Sequence, residues 1–203
     1  MKTKILIIAL MTFSIFSFSQ EIKTLSSNDG LKTKTFGGYG GPLIQVANIN
    51  NDWGIIIGGK GGVVINRRFA FGGIGKVLVN GIDLLGDDLN GNNNAALRLN
   101  YAAGGIFVEY IVKLESPIHF SIPVNFMAGG ISIEDPTSDD AEIESSGIFA
   151  IEPGINLEFN VSKSFIPGIN LSYRQVFGSS LVNLGNQDIA GVNIGLIFKF
   201  GNF

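Results

Sequence analysis

The feature that most constrains the fold of this chain is an alternation of apolar and polar residues that recurs along most of its length. Between 149 and 161, one parity holds Phe149, Ile151, Ile155, Leu157, Phe159 and Val161, and the other holds Glu152, Gly154, Asn156, Glu158 and Asn160. A repeat of two residues places alternate side chains on opposite faces of a β-strand, whereas a helix repeats about every 3.6 residues. The chain from residue 35 onwards is therefore predicted to be all-β.

Eight such stretches follow one another, separated by polar segments. They span 35–47, 52–65, 68–82, 97–112, 118–133, 146–161, 165–177 and 190–200. Their connectors differ in length: 66–67, 113–117, 162–164 and 48–51 are short, whereas 83–96, 134–145 and 178–189 are long. Tight turns at one rim and long loops at the other are typical of membrane barrels. We predict an eight-stranded antiparallel up-and-down β-barrel, transmembrane, over 35–203.

Pairs of adjacent glycines fall inside several of these stretches, and after some of them the apolar parity shifts by one. The pairs are Gly58-Gly59, Gly61-Gly62, Gly72-Gly73, Gly104-Gly105 and Gly129-Gly130. Glycine within a strand often marks a bulge or a tight bend. We predict that the sheet bulges or bends at these pairs.

The first 19 residues predict a cleaved export signal. Two lysines precede an apolar run over 5–18, and Ser17 and Ser19 occupy the positions that a signal peptidase reads. The run is shorter than the roughly 20 residues that a membrane-spanning helix needs. The predicted organisation is a signal peptide over 1–19, a flexible N-terminal lead-in over 20–34 and a barrel over 35–203.

The composition bears on which face of the barrel points outwards. Only 15% of the residues are charged, against about 25% in an average soluble domain. The polar face carries mostly glycine, asparagine and serine, whereas a water-facing surface is usually about 25–35% charged. This favours apolar side chains on lipid and polar side chains in the lumen. A soluble periplasmic barrel that binds an apolar ligand is the alternative.

Charged residues on the polar face nearly balance in sign. They are Lys60, Lys76, Arg98, Arg174 and Lys199 against Glu109, Glu152 and Glu158. Buried charges need partners, so we predict that these residues form an ion network in the lumen. Because side chains can fill the interior of an eight-stranded barrel, the network is expected to close it. A narrow gated channel for small solutes or ions is the alternative.

No constellation of residues points to an enzyme. The chain has no cysteine, which excludes thiolate chemistry, and its net charge of -3 argues against nucleic acid. His119, the single histidine, is predicted to be a lumen hydrogen-bonding residue instead of a base for Ser121, since little else of a triad is present. Residues 54–60 have the glycine and lysine spacing of a phosphate loop, but Gly61 replaces its hydroxyl residue. We predict a non-enzymatic protein without catalytic, cofactor or metal sites.

The long connectors are acidic. They carry Asp83, Asp87, Asp88, Glu134, Asp135, Asp139, Asp140, Glu142, Glu144 and Asp188, and neither lysine nor arginine. These loops are expected to face outside the cell, where they present acidic side chains to a partner. Weak calcium binding by 134–144 is the alternative reading of the same residues.

The end of the chain resembles the terminal signature of outer-membrane barrels, in which the last strand finishes on an aromatic residue. The segment is Ile197-Phe198-Lys199-Phe200-Gly201-Asn202-Phe203, with Phe203 out of parity with Phe200. From Phe36 to Phe203 the chain resembles the small outer-membrane β-barrel superfamily of the OmpA/OmpX type. Residues 36–42 and 151–155 also resemble segments of an uncharacterised subgroup. The resemblance implies a bacterial outer-membrane location, contact with outer-membrane lipid, recognition of Phe203 by the barrel-insertion machinery, and a structural or interaction role.

Overall fold

A computed structural model describes residues 35–85, 96–134, 142–182 and 184–203. The predicted signal peptide, 1–19, and lead-in, 20–34, lie outside these ranges. No helix within the described ranges is both long enough and apolar enough to cross a membrane.

The described residues form antiparallel strands that close into a barrel. The strands are β1 (Phe36–Ile49), β2 (Asp52–Ile65), β3 (Phe69–Leu78), β4 (Ile82–Leu85), β5 (Ala96–Val112), β6 (Ile118–Glu134), β7 (Glu142–Phe159), β8 (Phe165–Phe177) and β9 (Gly191–Asn202), with one helical turn, α1 (Asn186–Ile189). Because β3 and β4 both pair with β5, they form one interrupted barrel strand. The pairings β1–β9 and β3–β5 close the barrel. The predicted eight-stranded up-and-down barrel is confirmed.

Tight hairpins at two connectors follow from their sequence. Asn50 and Asn51 have φ values of 51° and 63°, and Asn66 and Arg67 have φ values of 53° and 54°. Two successive residues with positive φ define the hairpin turn whose twist matches that of paired strands, and asparagine tolerates this conformation well. We call the end of the barrel with 66–68, 113–117 and 160–164 the turn rim, and the end with 50–51 and 178–190 the loop rim.

The apolar parity faces outwards. In β9, Ile194 and Leu196 are each 48% exposed, whereas Asn193 and Lys199 are 0% and 1% exposed. The same division holds in β6, where Phe120 and Ile122 are exposed and Ser121 is buried. This arrangement does not fit the alternative of a soluble barrel with an apolar interior, because such a barrel would direct these apolar side chains inwards.

The double glycines are not bulges, so the bulge predicted at these pairs was wrong, while a bend there stays a prediction. The strand register continues without a shift through Gly61-Gly62, Gly104-Gly105 and Gly129-Gly130. Several of these glycines allow neighbouring backbones to approach closely: a Cβ atom on Gly62 would collide with the carbonyl oxygen of Phe71. The shift of apolar parity in the sequence has another cause. The apolar residues lie on the outer face in one part of a strand and on the inner face in another part.

This change of apolar face is clearest in β5. Towards the turn rim, the outward residues Ile106 and Val108 are apolar and exposed. Towards the loop rim, the apolar residues are Leu99 and Tyr101, which point inwards and are buried, while Asn100 points outwards. A barrel leaving the hydrocarbon layer would show this reversal, since its outer surface then meets polar surroundings.

A genuine irregularity separates β3 from β4. Val77 pairs with Ala102 and Ile82 pairs with Leu99, so residues 78–81 lie opposite residues 100–101. Val79 N donates to the carbonyl of Ile55 at 2.9 Å, and Ile55 N donates to Asn80 Oδ1 at 2.7 Å. The extra residues therefore bond to β2, and the ladder between β3 and β5 is interrupted.

Candidate functional site

The barrel lumen changes in polarity along its axis. Near the loop rim it is apolar, with buried side chains of Ala47, Ile49, Ile56, Leu78, Leu99, Ile131, Ile133, Ile148, Val176 and Ile189. Charged and amide side chains fill the middle, which we call the charged layer. Towards the turn rim, buried apolar side chains lie beside charged ones, since Ala70 pairs with Glu109 and Ile166 pairs with Lys199. The charged layer is thus covered by an apolar layer on the side of the loop rim.

Glu109 on β5 joins two lysines from different parts of the barrel wall. Its Oε2 accepts hydrogen bonds from Lys60 Nζ at 2.8 Å and from Tyr39 Oη at 2.6 Å, and its Oε1 accepts one from Lys199 Nζ at 2.5 Å. None of these four residues is more than 6% exposed. The Lys60 ammonium also lies 4.0 Å from the ring centroid of Phe107. Glu109 therefore ties β1, β2 and β9 to β5 across the lumen.

Glu158 on β7 extends the same cluster towards the turn rim. Its Oε1 accepts hydrogen bonds from Lys199 Nζ at 2.6 Å and Ser121 Oγ at 2.6 Å. Its Oε2 lies 3.0 Å from His119 Nε2. Ser121 also accepts from Asn156 Nδ2 at 2.9 Å. His119 and Ser121 thus both contact Glu158 and make no hydrogen bond to each other, which does not fit a nucleophile with its base.

Glu152 forms a second cluster nearer the loop rim. Its Oε1 accepts hydrogen bonds from Lys76 Nζ at 2.5 Å, Ser172 Oγ at 2.8 Å and Asn125 Nδ2 at 3.3 Å. A cavity of about 20 Å³ lies among Lys60, Lys76 and Glu152. A space of that size holds about one water molecule. This cavity is therefore too small for a solute larger than water.

Arg174 on β8 lies between the charged layer and the loop rim. Its Nε and Nη2 donate to the carbonyl of Ile189 at 3.1 and 2.9 Å, and Nη2 also donates to the carbonyl of Asn48 at 3.0 Å. Nη1 donates to Asn193 Oδ1 at 3.1 Å, and the guanidinium lies 5.2 Å from the ring centroid of Tyr101. Since Ile189 ends α1 and Asn48 lies beside the β1–β2 turn, one buried side chain holds both segments over the barrel mouth.

Replacing Arg174 with glutamine is expected to release the segment 178–190 from the barrel mouth while the barrel stays closed. The shorter side chain cannot reach the carbonyls of Asn48 and Ile189 together. Amide hydrogen exchange of 184–190 is expected to be roughly ten- to hundredfold faster, because about 1.5–3 kcal/mol of charge-assisted hydrogen bonding is lost. The matched control is Gln175→Ala, the next residue on the opposite face. Unchanged exchange in Arg174→Gln would contradict this role.

The structure places seven of the eight charged residues predicted for the lumen inside it, with buried side chains. Arg98 is the exception and that assignment was wrong. Leu97 and Leu99 on either side of it point inwards and are buried, so Arg98 points outwards and is exposed. Gly54 to Lys60 lie within β2 and form no phosphate loop.

The sequence reasoning missed the apolar layer near the loop rim. The signal was that Leu97, Leu99, Ile131 and Ile133 are apolar on the parity opposite to that of the outward apolar residues in the rest of their strands. We interpreted this change as a shift of strand register. No group of three or more potential metal-ligating side chains occurs among the described residues. Residues 135–141, part of the acidic segment considered for calcium, lie outside the described ranges.

Comparisons with known proteins concern the fold. No family model matches the sequence, and no curated protein matches it. The structure of Neisserial surface protein A (NspA) is similar, with a TM-score of 0.56, 11% sequence identity, and coverage of 83% of this chain and 99% of that chain. Ail, the attachment invasion locus protein of Yersinia pestis, solved in complex with the heparin analogue sucrose octasulfate, has a TM-score of 0.50, 10% identity, and coverage of 83% and 97%. The chain therefore has the fold of the small eight-stranded outer-membrane β-barrels, as its sequence resemblance predicted.

Proposed function

We propose that this protein is a non-enzymatic β-barrel of the bacterial outer membrane, with a closed lumen and a structural or interaction role. The observation that carries the proposal is a band of exposed apolar side chains on the outer face, such as those of Phe120, Ile155 and Ile194, around a lumen packed with inward side chains. A closed barrel pairs its strands without a free edge, which is what a hydrocarbon environment demands. The outward apolar side chains supply the lipid-facing surface.

The orientation follows from the two rims. Short turns of outer-membrane barrels face the periplasm and longer loops face outside. We therefore assign the turn rim, which carries Arg67, Arg68, Lys113 and Lys163, to the periplasmic side. Residues 1–19 would export the chain as a cleaved signal peptide.

Separation of cell membranes, followed by electrophoresis of unheated and heated samples, tests the proposed outer-membrane location. We expect the protein in the outer-membrane fraction, with a mobility that depends on heating. Recovery as a soluble periplasmic protein would contradict the proposal.

The lumen is proposed to conduct neither ions nor solutes. The ion pairs of Glu109, Glu152 and Glu158 fill its middle, and an apolar layer closes it near the loop rim. In planar lipid bilayers the purified protein is expected to be electrically silent. The gated channel is the second candidate, because the charged layer runs across the lumen and could rearrange. A steady conductance of the wild-type protein that is lost in Lys76→Met would support the channel and contradict the closed lumen.

The interaction role is proposed for the acidic loops at the loop rim. Ail was solved with a polyanion, the heparin analogue sucrose octasulfate. The long connectors of this chain carry acidic residues and neither lysine nor arginine. We therefore propose a cationic extracellular partner for these loops, since like charges repel across an interface.

Recognition by the barrel-insertion machinery is proposed to use the aromatic C-terminus. In the folded barrel the ring of Phe203 stacks on Tyr39, with centroids 5.8 Å apart and planes 19° apart. Phe200 is 51% exposed on the outer face. Contact of the machinery with Phe203 would therefore precede its packing against Tyr39.

A further inference from the structure

A groove of about 560 Å³ lies on the barrel wall near the loop rim, across β3, β5, β6 and β7. Seven of its eleven lining residues face outwards and form two cross-strand rows, and the other four, Leu78, Tyr101, Ile131 and Ser146, point inwards and are buried. The row nearer the turn rim is Val77, Ala102, Gly130 and Gly147, and the row nearer the loop rim is Asn100, Ser132 and Ser145. Its floor is therefore apolar at one end and polar at the other.

Two independent features of the chain produce this groove. The outward side chains of the first row are small in β5, β6 and β7, whereas Phe149, the next outward residue of β7, is 42% exposed. The ladder between β3 and β5 is also interrupted at this place, because residues 78–81 turn towards β2. Asn100 and Tyr101 consequently have no ladder partner in β3 or β4. Such interruptions are over-represented at the rims of barrels and next to active sites.

The groove also lies where the outer face of the barrel changes from apolar to polar. Towards the turn rim, Ile106 and Val108 are 63% and 48% exposed. Towards the loop rim, the next outward residues are Arg98 and Glu134, which are paired across β5 and β6. A molecule lying along the groove would meet apolar surface, then hydroxyl and amide groups, and then charges. This order matches the order of chemical groups along a membrane lipid.

We propose that the groove binds one lipid of the outer leaflet. Its acyl chain lies on Ala102, Gly130 and Gly147, and the carbonyl oxygens at the head of the chain accept hydrogen bonds from Asn100, Ser132 and Ser145. The proposal rests on the outer-membrane location proposed above. A second barrel does not fit here, because a convex wall cannot enter a groove that is only a few strands wide. A single acyl chain can enter it.

The test is to fill the groove without disturbing the barrel. A Cβ atom on Gly147 meets nothing within 4 Å, so Gly147→Leu adds bulk to the groove alone. The matched control is Gly40→Leu on β1, an exposed outward position where the nearest atom to a Cβ lies 4.0 Å away. Native mass spectrometry of protein extracted in mild detergent measures lipid that stays bound. Wild type and Gly40→Leu are expected to retain one lipid, and Gly147→Leu roughly tenfold less, because about two methylene groups lose their contacts.

A second variant tests the polar end of the groove. The double change Ser132→Ala and Ser145→Ala keeps the groove open but removes two hydrogen-bond donors, and lipid retention is expected to fall roughly fivefold. Equal retention in all variants, or equal loss in Gly147→Leu and Gly40→Leu, would overturn the lipid site. A protein dimer lost only in Gly147→Leu would overturn it too, since the groove would then join two copies. Heat-dependent mobility of each variant is measured in parallel, so failure of the barrel itself is seen separately.

Discussion

Replacing Glu109 with alanine is expected to lower the free energy of unfolding by about 3–5 kcal/mol, because it leaves buried lysines without their carboxylate. Lys60 has no other acidic partner within ion-pair distance among the described residues, and Lys199 keeps only Glu158. Urea unfolding of the protein in lipid vesicles, followed by the fluorescence of its single tryptophan, Trp53, measures the change.

The control for this prediction is an ion pair on the surface. Arg67 and Glu115 lie 3.0 Å apart at the turn rim, with side chains 48% and 78% exposed. Because exposed pairs contribute little, Glu115→Ala is expected to change the free energy of unfolding by about 0–1 kcal/mol. Equal effects of the two substitutions would show that the charged layer does not stabilise the barrel.

An arginine in place of Ile106 is expected to impair insertion of the barrel. Ile106 is 63% exposed at the middle of the outward apolar face. A charge at that depth costs about 2–4 kcal/mol, whereas one near the interface costs about 0–1 kcal/mol. The fraction of folded protein in lipid vesicles, read from the unheated gel, measures the effect.

The matched control for Ile106→Arg is Ile118→Arg. Ile118 is similarly exposed, at 57%, but it begins β6 at the turn rim. Ile106→Arg is expected to reduce the folded fraction strongly and Ile118→Arg slightly. Equal effects at the two positions would mean that the outer face of the barrel does not lie across a hydrocarbon layer.

The strands could be predicted from sequence because their main determinant is local. Because alternate side chains of a strand face the outer surface and the lumen, an apolar outer face gives a period of two, which Ile118 to Phe126 display without any knowledge of partners. The interruption between β3 and β4 could not be predicted in the same way. It depends on Asn80 bonding to Ile55, a pairing between strands that composition does not reveal.

Candidate lumen charges could be collected from their parity, but their partners could not. Glu109 contacts Lys60 and Lys199, which are 49 and 90 residues away, and such pairs depend on how the closed sheet is staggered. Arg98 shows the limit of parity itself. Towards the loop rim the outer face is polar, so a polar residue in that part of a strand points outwards. The sequence did hold a signal for this. Leu97 and Leu99 are apolar on the parity opposite to that of the outward apolar residues further along β5, which indicates that the outer surface of the barrel there meets polar surroundings.

The most direct test of the lipid-facing surface is site-directed spin labelling in bilayers. The chain has no cysteine, so single cysteines can be introduced at Ile155 and Ile194, which are 45% and 48% exposed on the outer face, and at Val182, which is 83% exposed near the loop rim. Labels at Ile155 and Ile194 are predicted to be accessible to oxygen and protected from a water-soluble nickel chelate, while the label at Val182 is accessible to the chelate. Accessibility of all three labels to the chelate would contradict a membrane-spanning barrel.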